Sequence, residues 1–242
     1  QDRPQGIVTY PNVATQTEMG DIEAARLLVV GGHSGHGKTS LCLWWAMQLV
    51  ARKVKVAFFT LEMAREYIFM KCASARTGIP GRNFSLGLFT YDERQRLAEF
   101  REWWAEHDFL VTADVGVDAH EVEGYLEKER PDLCFLDHVQ MVKTEGFASQ
   151  REGYEDQLRE WRRVVDRTKT RLVLCSQLKR KQVDGNPLPS VHDLYGADIF
   201  RQISDMIMLI YYPKCEEPFQ TQDTLTTLQR MQWMSFVAKN RY

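Results

Sequence analysis

At 242 residues with 44% hydrophobic and 11% aromatic side chains, the chain can bury one large core, the usual content of a single α/β domain. Its 31 basic and 33 acidic residues leave a formal charge of -2, which excludes a whole-molecule basic field for nucleic acid and confines any polyanion site to a local cluster. Five scattered cysteines, Cys42, Cys72, Cys134, Cys175 and Cys215, form no C-x-x-C pair, which argues against a disulfide framework or a zinc site and for a reducing, cytoplasmic or other intracellular compartment. No apolar run reaches the roughly 18 to 20 residues of a membrane span, so no membrane partner is expected, and no cleavable signal opens the chain.

Residues 1–25 carry Pro4, Gly6, Pro11 and Gly20 with little periodicity and read as an arm or linker ahead of one domain over 26–242. Apolar runs predict strands at 27–31, 55–60, 109–112, 133–137, 172–176, 206–212 and 233–238, and helical spacing predicts helices at 38–51, 64–76, 92–106, 119–129 and 150–169. In the last of these, Tyr154, Leu158, Trp161 and Val165 form one apolar stripe beneath a charged face. Continuous apolar strands separated by helices are the pattern of a mostly parallel, twisted sheet with helices on both faces, because both sides of each strand are then buried. In such sheets the ligand crevice lies at the carboxyl ends of the strands. Gly32 to Thr39, Glu62, Asp137 and Gln177 all follow the ends of apolar runs.

Along the chain, Gly32-His33-Ser34-Gly35-His36-Gly37-Lys38-Thr39 fits G-x-x-x-x-G-K-[ST], directly after the apolar run 27–30 and opening a helix at Ser40. Strand before and helix after are what a P-loop needs. Glycines let backbone N–H groups curl around a phosphate, the helix N-terminus adds positive potential, Lys38 neutralises β and γ oxygens, and the Thr39 hydroxyl ligates Mg²⁺. ATP and Mg²⁺ are therefore the expected cofactors, with Gly32, Ser34, Gly35, Gly37, Lys38, Thr39 and Ser40 around the nucleotide. His33 and His36 are expected to be solvent-facing. Leu133-Cys134-Phe135-Leu136-Asp137 ends an apolar strand in a carboxylate, as a second Mg²⁺ ligand beside a P-loop must.

Glu62 follows the second strand, which is expected to neighbour the phosphate end of the P-loop strand. It has two readings: a carboxylate that polarises the attacking water, or a helix N-terminal acid interacting with the dipole. Gln177, after 172–176, reads either as a γ-phosphate contact or as an ordinary strand-end polar residue. The pairs Trp44-Trp45 and Trp103-Trp104 lie within predicted helices and are expected to pack in the core. Lys179-Arg180-Lys181 precede the loop Asp184-Gly185-Asn186-Pro187, and Lys143 and Arg151 bracket another; these read as phosphate-tracking loops or as solvated charged loops.

Taken in order, these pieces resemble the motor domain of DnaB-type hexameric helicases. Thr60-Leu61-Glu62-Met63 is similar to that family's "SLEM", Leu136-Asp137-His138-Val139-Gln140-Met141 to "IDYLQLM", Cys175-Ser176-Gln177-Leu178-Lys179-Arg180 to "LSQLNR", and Ala238-Lys239-Asn240-Arg241 to "AKxR". The resemblance implies a RecA-like P-loop fold that hydrolyses ATP, with Lys38, Glu62 and Gln177 in catalysis, Asp137 as the Walker B acid, and Lys239 and Arg241 acting on a neighbouring subunit's nucleotide. It further implies a homo-oligomer of six around single-stranded DNA in a replication compartment, including a virus's or a plasmid's, with a primase or loader as partner. The chain departs from the pattern at His138, where the family usually has Tyr, at 17–23 in place of a Gly-rich approach, and at Asp193-Leu194-Tyr195-Gly196-Ala197-Asp198, which aligns with "DLRESG". There Tyr195 replaces Arg and Asp198 adds negative charge. DNA contact is then expected from Lys179, Arg180, Lys181, Tyr195 and Gly196. Two other readings stay open: a RecA-like recombinase or ring ATPase of another purpose, and a non-hydrolysing, helicase-derived scaffold.

Overall fold

Seven strands make one sheet, and its order explains where the candidate residues meet. The computed structural model describes residues 25–113, 117–143, 149–179 and 188–211, together with the backbone of 234–240. The strands are β1 (Leu27–Gly32), β2 (Val56–Thr60), β3 (Phe109–Thr112), β4 (Leu133–Asp137), β5 (Arg171–Gln177), β6 (Met206–Tyr211) and β7 (Met234–Asn240). Their order is β3-β2-β4-β5-β1-β6-β7. The first six run parallel and β7 closes the edge antiparallel to β6, with Ile207 opposite Lys239. The expected neighbourhood of the second strand is corrected by this order: β4 and β5 lie between β2 and β1, because chain order does not dictate sheet order.

The helices are α1 (Lys38–Val50), α2 (Arg65–Thr77), α3 (Gly81–Leu86), α4 (Tyr91–Ala105), α5 (Ala119–Glu129), α6 (Gln150–Thr168) and α7 (Ala197–Ile203). Strand residues alternate between two cores, as period-2 geometry requires. Leu28, Val30, Phe58 and Phe135 pack with α1, α2 and α4 on one face. Leu27, Val29, Phe59 and Leu136 pack with α5, α6 and α7 on the other. Fully buried Trp161 anchors the α6 stripe, and truncating such a residue costs roughly 3 to 5 kcal/mol. Trp45 is buried in the core, and Trp44, Trp103 and Trp104 pack against it, as their helical positions predict.

Helix starts follow their sequences. Thr90 and Asp118 form reciprocal capping boxes with Glu93 and Glu121, and Ser149 accepts from the Glu152 N–H, each cap worth about 1 kcal/mol. Helix α3 is absent from the sequence-based expectation, because none of its six residues is buried and no apolar stripe announces it. Across the back of the sheet, Asp205 ties three elements together: its carboxylate accepts from the Arg26 and Leu27 N–H groups at 2.9 and 3.0 Å and from Arg162 Nη1 at 2.8 Å. The arm expected over 1–25 lies outside the described residues except for Ala25, which is buried.

Candidate active site

The P-loop begins where β1 runs out of room for side chains. A Cβ on Gly32 would lie 2.8 Å from Ile210 Cγ1 and 3.2 Å from Lys38 Cγ, so only glycine lets the loop leave the sheet here. Gly35 and Gly37 hold φ of 80° and 88°, the left-handed region that costs other residues about 1 to 2 kcal/mol, and α1 starts at the next residue. Ser34 and Gly35 are exposed while Thr39 and Ser40 are half-buried. Lys38 is buried, and its Nζ donates to the carbonyls of Gly32 at 2.8 Å and His33 at 3.0 Å. Burial pulls the ammonium below its ordinary pKa, because the charged form loses its water.

Thr39 Oγ1 donates to Asp137 Oδ2 at 2.5 Å, joining the start of α1 to the end of β4 across the width of β5. Burial raises the Asp137 pKa, opposed by the Thr39 hydrogen bond and by the charges of His138 and Lys38. Beneath the loop, the buried thiols of Cys42 and Cys175 lie 3.3 Å apart, and the four described cysteines are free.

One expectation about this loop is corrected. His36 is buried, its ring 5.4 Å from that of Tyr211 and 5.3 Å from that of His33. The loop folds back over the end of β6, whose tyrosine offers a ring face that an imidazole covers more favourably than water does.

Glu62 lies after β2, with its neighbour's N–H tied to the end of β4: Leu61 N donates to Asp137 O at 2.7 Å. Its carboxylate is 61% exposed and Oε2 lies 3.3 Å from Nδ1 of buried His138. It is close enough to act electrostatically on both Lys38 and Asp137. Burial lowers the His138 pKa against the pull of Asp137 and Glu62. Gln177 ends β5, next to both β1 and β4. Its backbone is clamped by Gln140, whose Nε2 donates to Ser176 Oγ at 2.8 Å and Gln177 O at 3.3 Å while its Oε1 accepts from Gln177 N at 3.1 Å. The Gln177 side chain makes no hydrogen bond with the described residues. Sequence reasoning gives Gln140 and His138 no role, although both stand in the stretch after Asp137 that carries the motif.

Lys38, Thr39, Asp137, Glu62 and Gln177 thus converge at the carboxyl ends of β1, β2, β4 and β5. Lys239 falls on β7 at the sheet edge, where only its backbone is described, and Arg241 lies outside the described residues. Of the nucleic-acid candidates, Lys179, Tyr195 and Gly196 come together. Lys179 N donates to Asp193 O at 2.8 Å and its Nζ lies 5.9 Å over the Tyr195 ring. They border a cleft of about 990 Å³ that Gln140, Met141 and Arg159 also line. Gly196, at φ 75°, caps α7, where a Cβ would meet Leu158 Cδ1 at 2.7 Å. Arg180 and Lys181 lie outside the described residues. Lys143 and Arg151 pair with Glu121 and Glu155 at 3.4 and 2.8 Å, and Asp198 pairs with Arg201 at 2.5 Å, so the acid at this rim is partly neutralised. No helix among the described residues is long and apolar enough to cross a membrane.

Comparison with known proteins carries the site further. Residues 15–242 match the family model of the DnaB-like helicase C-terminal domain. A probable plasmid replicative DNA helicase of Chlamydia trachomatis is 26% identical over 189 residues, covering 76% of this chain and 42% of the relative. The replicative DNA helicase DnaB of Treponema pallidum is 20% identical over 207 residues, covering 83% and 47%. The chain spans less than half the length of these relatives. A solved structure of a DnaB-like replicative helicase, described with its interactions with primase, shares the fold at 14% identity and a TM-score of 0.76 over 89% of this chain and 54% of that one. A second solved structure, of an isolated ATPase domain, matches at the same identity and TM-score over 89% of this chain and 77% of its own. With the family match running through the P-loop, Asp137 and the last strand alike, the chain belongs to the DnaB-like helicase C-terminal domain family.

Proposed function

We propose that this chain is the ATP-hydrolysing motor of a ring-forming replicative helicase, with residues 26–242 as the RecA-like motor domain and 1–25 as the arm leading into it. The observation that carries this reading is the 2.5 Å contact between Thr39 Oγ1 and Asp137 Oδ2, two hard oxygen donors brought from different strands to the foot of the P-loop. That donor set suits Mg²⁺, which when bound supplies charge neutralisation at the β and γ phosphates. Backbone N–H groups from Gly32 to Ser40 cradle the phosphates, and Lys38 exchanges its two carbonyl acceptors for phosphate oxygens.

In the hydrolytic step the water oxygen attacks the γ-phosphorus, the bond from that phosphorus to the β–γ bridging oxygen breaks, and ADP and phosphate leave. The water's proton passes to Glu62, whose place beside Asp137 supports the general-base reading over the helix-terminus one. Gln177 contacts the γ-phosphate from the end of β5, and Arg241 and Lys239 reach the nucleotide of the next subunit, where a guanidinium stabilises charge on the transferred phosphoryl group. Single-stranded DNA runs past Lys179, Arg180, Lys181, Tyr195 and Gly196, held by positive charge, backbone amides and ring stacking. Six subunits around one strand, with a primase or loader, in an intracellular replication compartment, complete the reading; the plasmid helicase among the relatives favours a plasmid or viral replicon. Family membership favours this reading over a recombinase, and a water-activating acid at Glu62 favours it over a scaffold.

Glu62→Gln tests it. The variant is expected to bind Mg·ATP normally and to release phosphate roughly 10²-fold more slowly or worse. A parental kcat returns Glu62 to a helix-terminus role.

A further inference from the structure

The backbone at Glu62 is fixed while its side chain is held at one point. Thr60 Oγ1 accepts from Met63 N and donates to Met63 O, both at 3.0 Å, and Leu61 N is bound to Asp137 O. Beyond its Cα the glutamate is 61% exposed, and free rotation about its side-chain torsions would spread the carboxylate over several rotamers. The described partner that opposes this is His138, whose Nδ1 stands 3.3 Å from Oε2 and whose side chain is 7% exposed. A buried ring immediately after β4 has lost its own rotamer freedom to packing, so it can serve as a fixed anchor for a mobile acid.

We propose that His138 is the positioning residue of the general base: its Nδ1–H donates to Glu62 Oε2 and leaves Oε1 to take the proton of the attacking water. The inference rests on the general-base reading of Glu62. It requires no change of protonation at His138, since both the neutral tautomer that a carboxylate selects and the imidazolium carry a proton on Nδ1. The tyrosine usual at this position places its hydroxyl at the far end of the ring, whereas Nδ1 is bonded directly to Cγ. The two side chains would therefore meet Glu62 at different points, and this chain's base would be held in its own way.

The test uses the full chain with Mg·ATP and single-stranded DNA, and measures kcat together with the Kd of a fluorescent ATP analogue. His138→Phe keeps the ring volume without a donor, His138→Leu is a second donorless variant, and His138→Asn keeps an N–H donor at the same distance from Cβ. Misplacing a catalytic group by about 1 Å costs on the order of 10²-fold, so Phe and Leu are expected to lower kcat about 10- to 100-fold with Kd unchanged. Asn is expected to recover most of the rate. In the Glu62→Gln background the donorless variants should cause no further loss. A parental kcat with Phe or Leu overturns the proposal. So does an Asn variant as slow as Phe, a Kd that rises with the loss of kcat, or a multiplying loss in the Glu62→Gln background. The reading it rests on fails separately: a Glu62→Gln variant with parental turnover removes the general base, whereas an inactive Glu62→Gln beside an active His138→Phe removes only the positioning.

Discussion

Lys38→Ala should leave the protein nearly as stable as before and abolish its stabilisation by nucleotide. The ammonium is 6% exposed and donates to two carbonyls, Gly32 O and His33 O. Truncation removes two hydrogen bonds worth roughly 1 kcal/mol each. It also removes the cost of burying a cation, whose sign is visible in the lowered pKa. The two changes offset, and intrinsic stability is expected to move by no more than about 1 kcal/mol. With nucleotide the same side chain faces β and γ phosphates, and losing one partner of a buried charged contact costs roughly 2 to 5 kcal/mol, or about 30- to 5,000-fold in Kd. At an analogue concentration of about 100 times the parental Kd, binding stabilises the parent by about 2.7 kcal/mol. A variant with Kd raised about 100-fold gains only about 0.4 kcal/mol under the same conditions. For a domain of this size about 1 kcal/mol moves Tm by roughly 2 to 4 °C. The parent should therefore shift by roughly 5 to 11 °C and the variant by about 1 °C. Paired thermal melts with and without a Mg·ATP analogue read both quantities. An undiminished nucleotide shift in Lys38→Ala would refute the P-loop assignment.

Gly31→Ala should destabilise the fold by about 1 to 3 kcal/mol through overpacking, because the new Cβ would lie 2.7 Å from Leu209 Cδ2 and 2.9 Å from Leu194 Cδ2; an unchanged urea midpoint would show that the sheet yields there. Arg167 binds both Glu123 and Glu160 and holds the Glu123 carboxyl below its ordinary pKa of 4.5. The unfolded chain therefore takes up protons first as pH falls, so this contribution is present above about pH 4.5 and is lost below it. The stability gap between parent and Arg167→Ala should shrink as pH falls through that range, and a gap constant across it would contradict the pairing. Arg241→Ala should fold and bind ATP yet scarcely hydrolyse it, a loss of roughly 10³ to 10⁵ where such fingers act. Adding Glu62→Gln subunits should restore part of the rate, because some junctions then carry both intact residues; zero recovery after confirmed subunit exchange would exclude action between subunits.

The site is legible where local sequence dictates it and hidden where distant segments meet. Runs such as Leu133 to Asp137 announce strands buried on both faces, and the spacing from Gly32 to Thr39 prescribes its own loop geometry. The burial of His36 is invisible in its own segment because its cover comes from Tyr211 at the end of β6, far along the chain. The place of Glu62 beside β4 rather than β1 depends on strand order, which composition and periodicity do not encode. Gln140 and His138 act across strands, on Gln177 and Glu62, and neither residue type carries a motif of its own. Lys143 and Arg151 stand as charges in the sequence, but only their pairing with Glu121 and Glu155 shows how much of that charge is already satisfied.

That ATP turnover in this chain drives movement along a single strand is tested most directly by separation of a forked DNA duplex, followed by fluorescence as the strands part. The expected result is unwinding that requires Mg²⁺ and hydrolysable ATP and is lost in both Lys38→Ala and Glu62→Gln. Strand separation that continues with a non-hydrolysable analogue, or at the parental rate in Glu62→Gln, would contradict an ATP-driven motor.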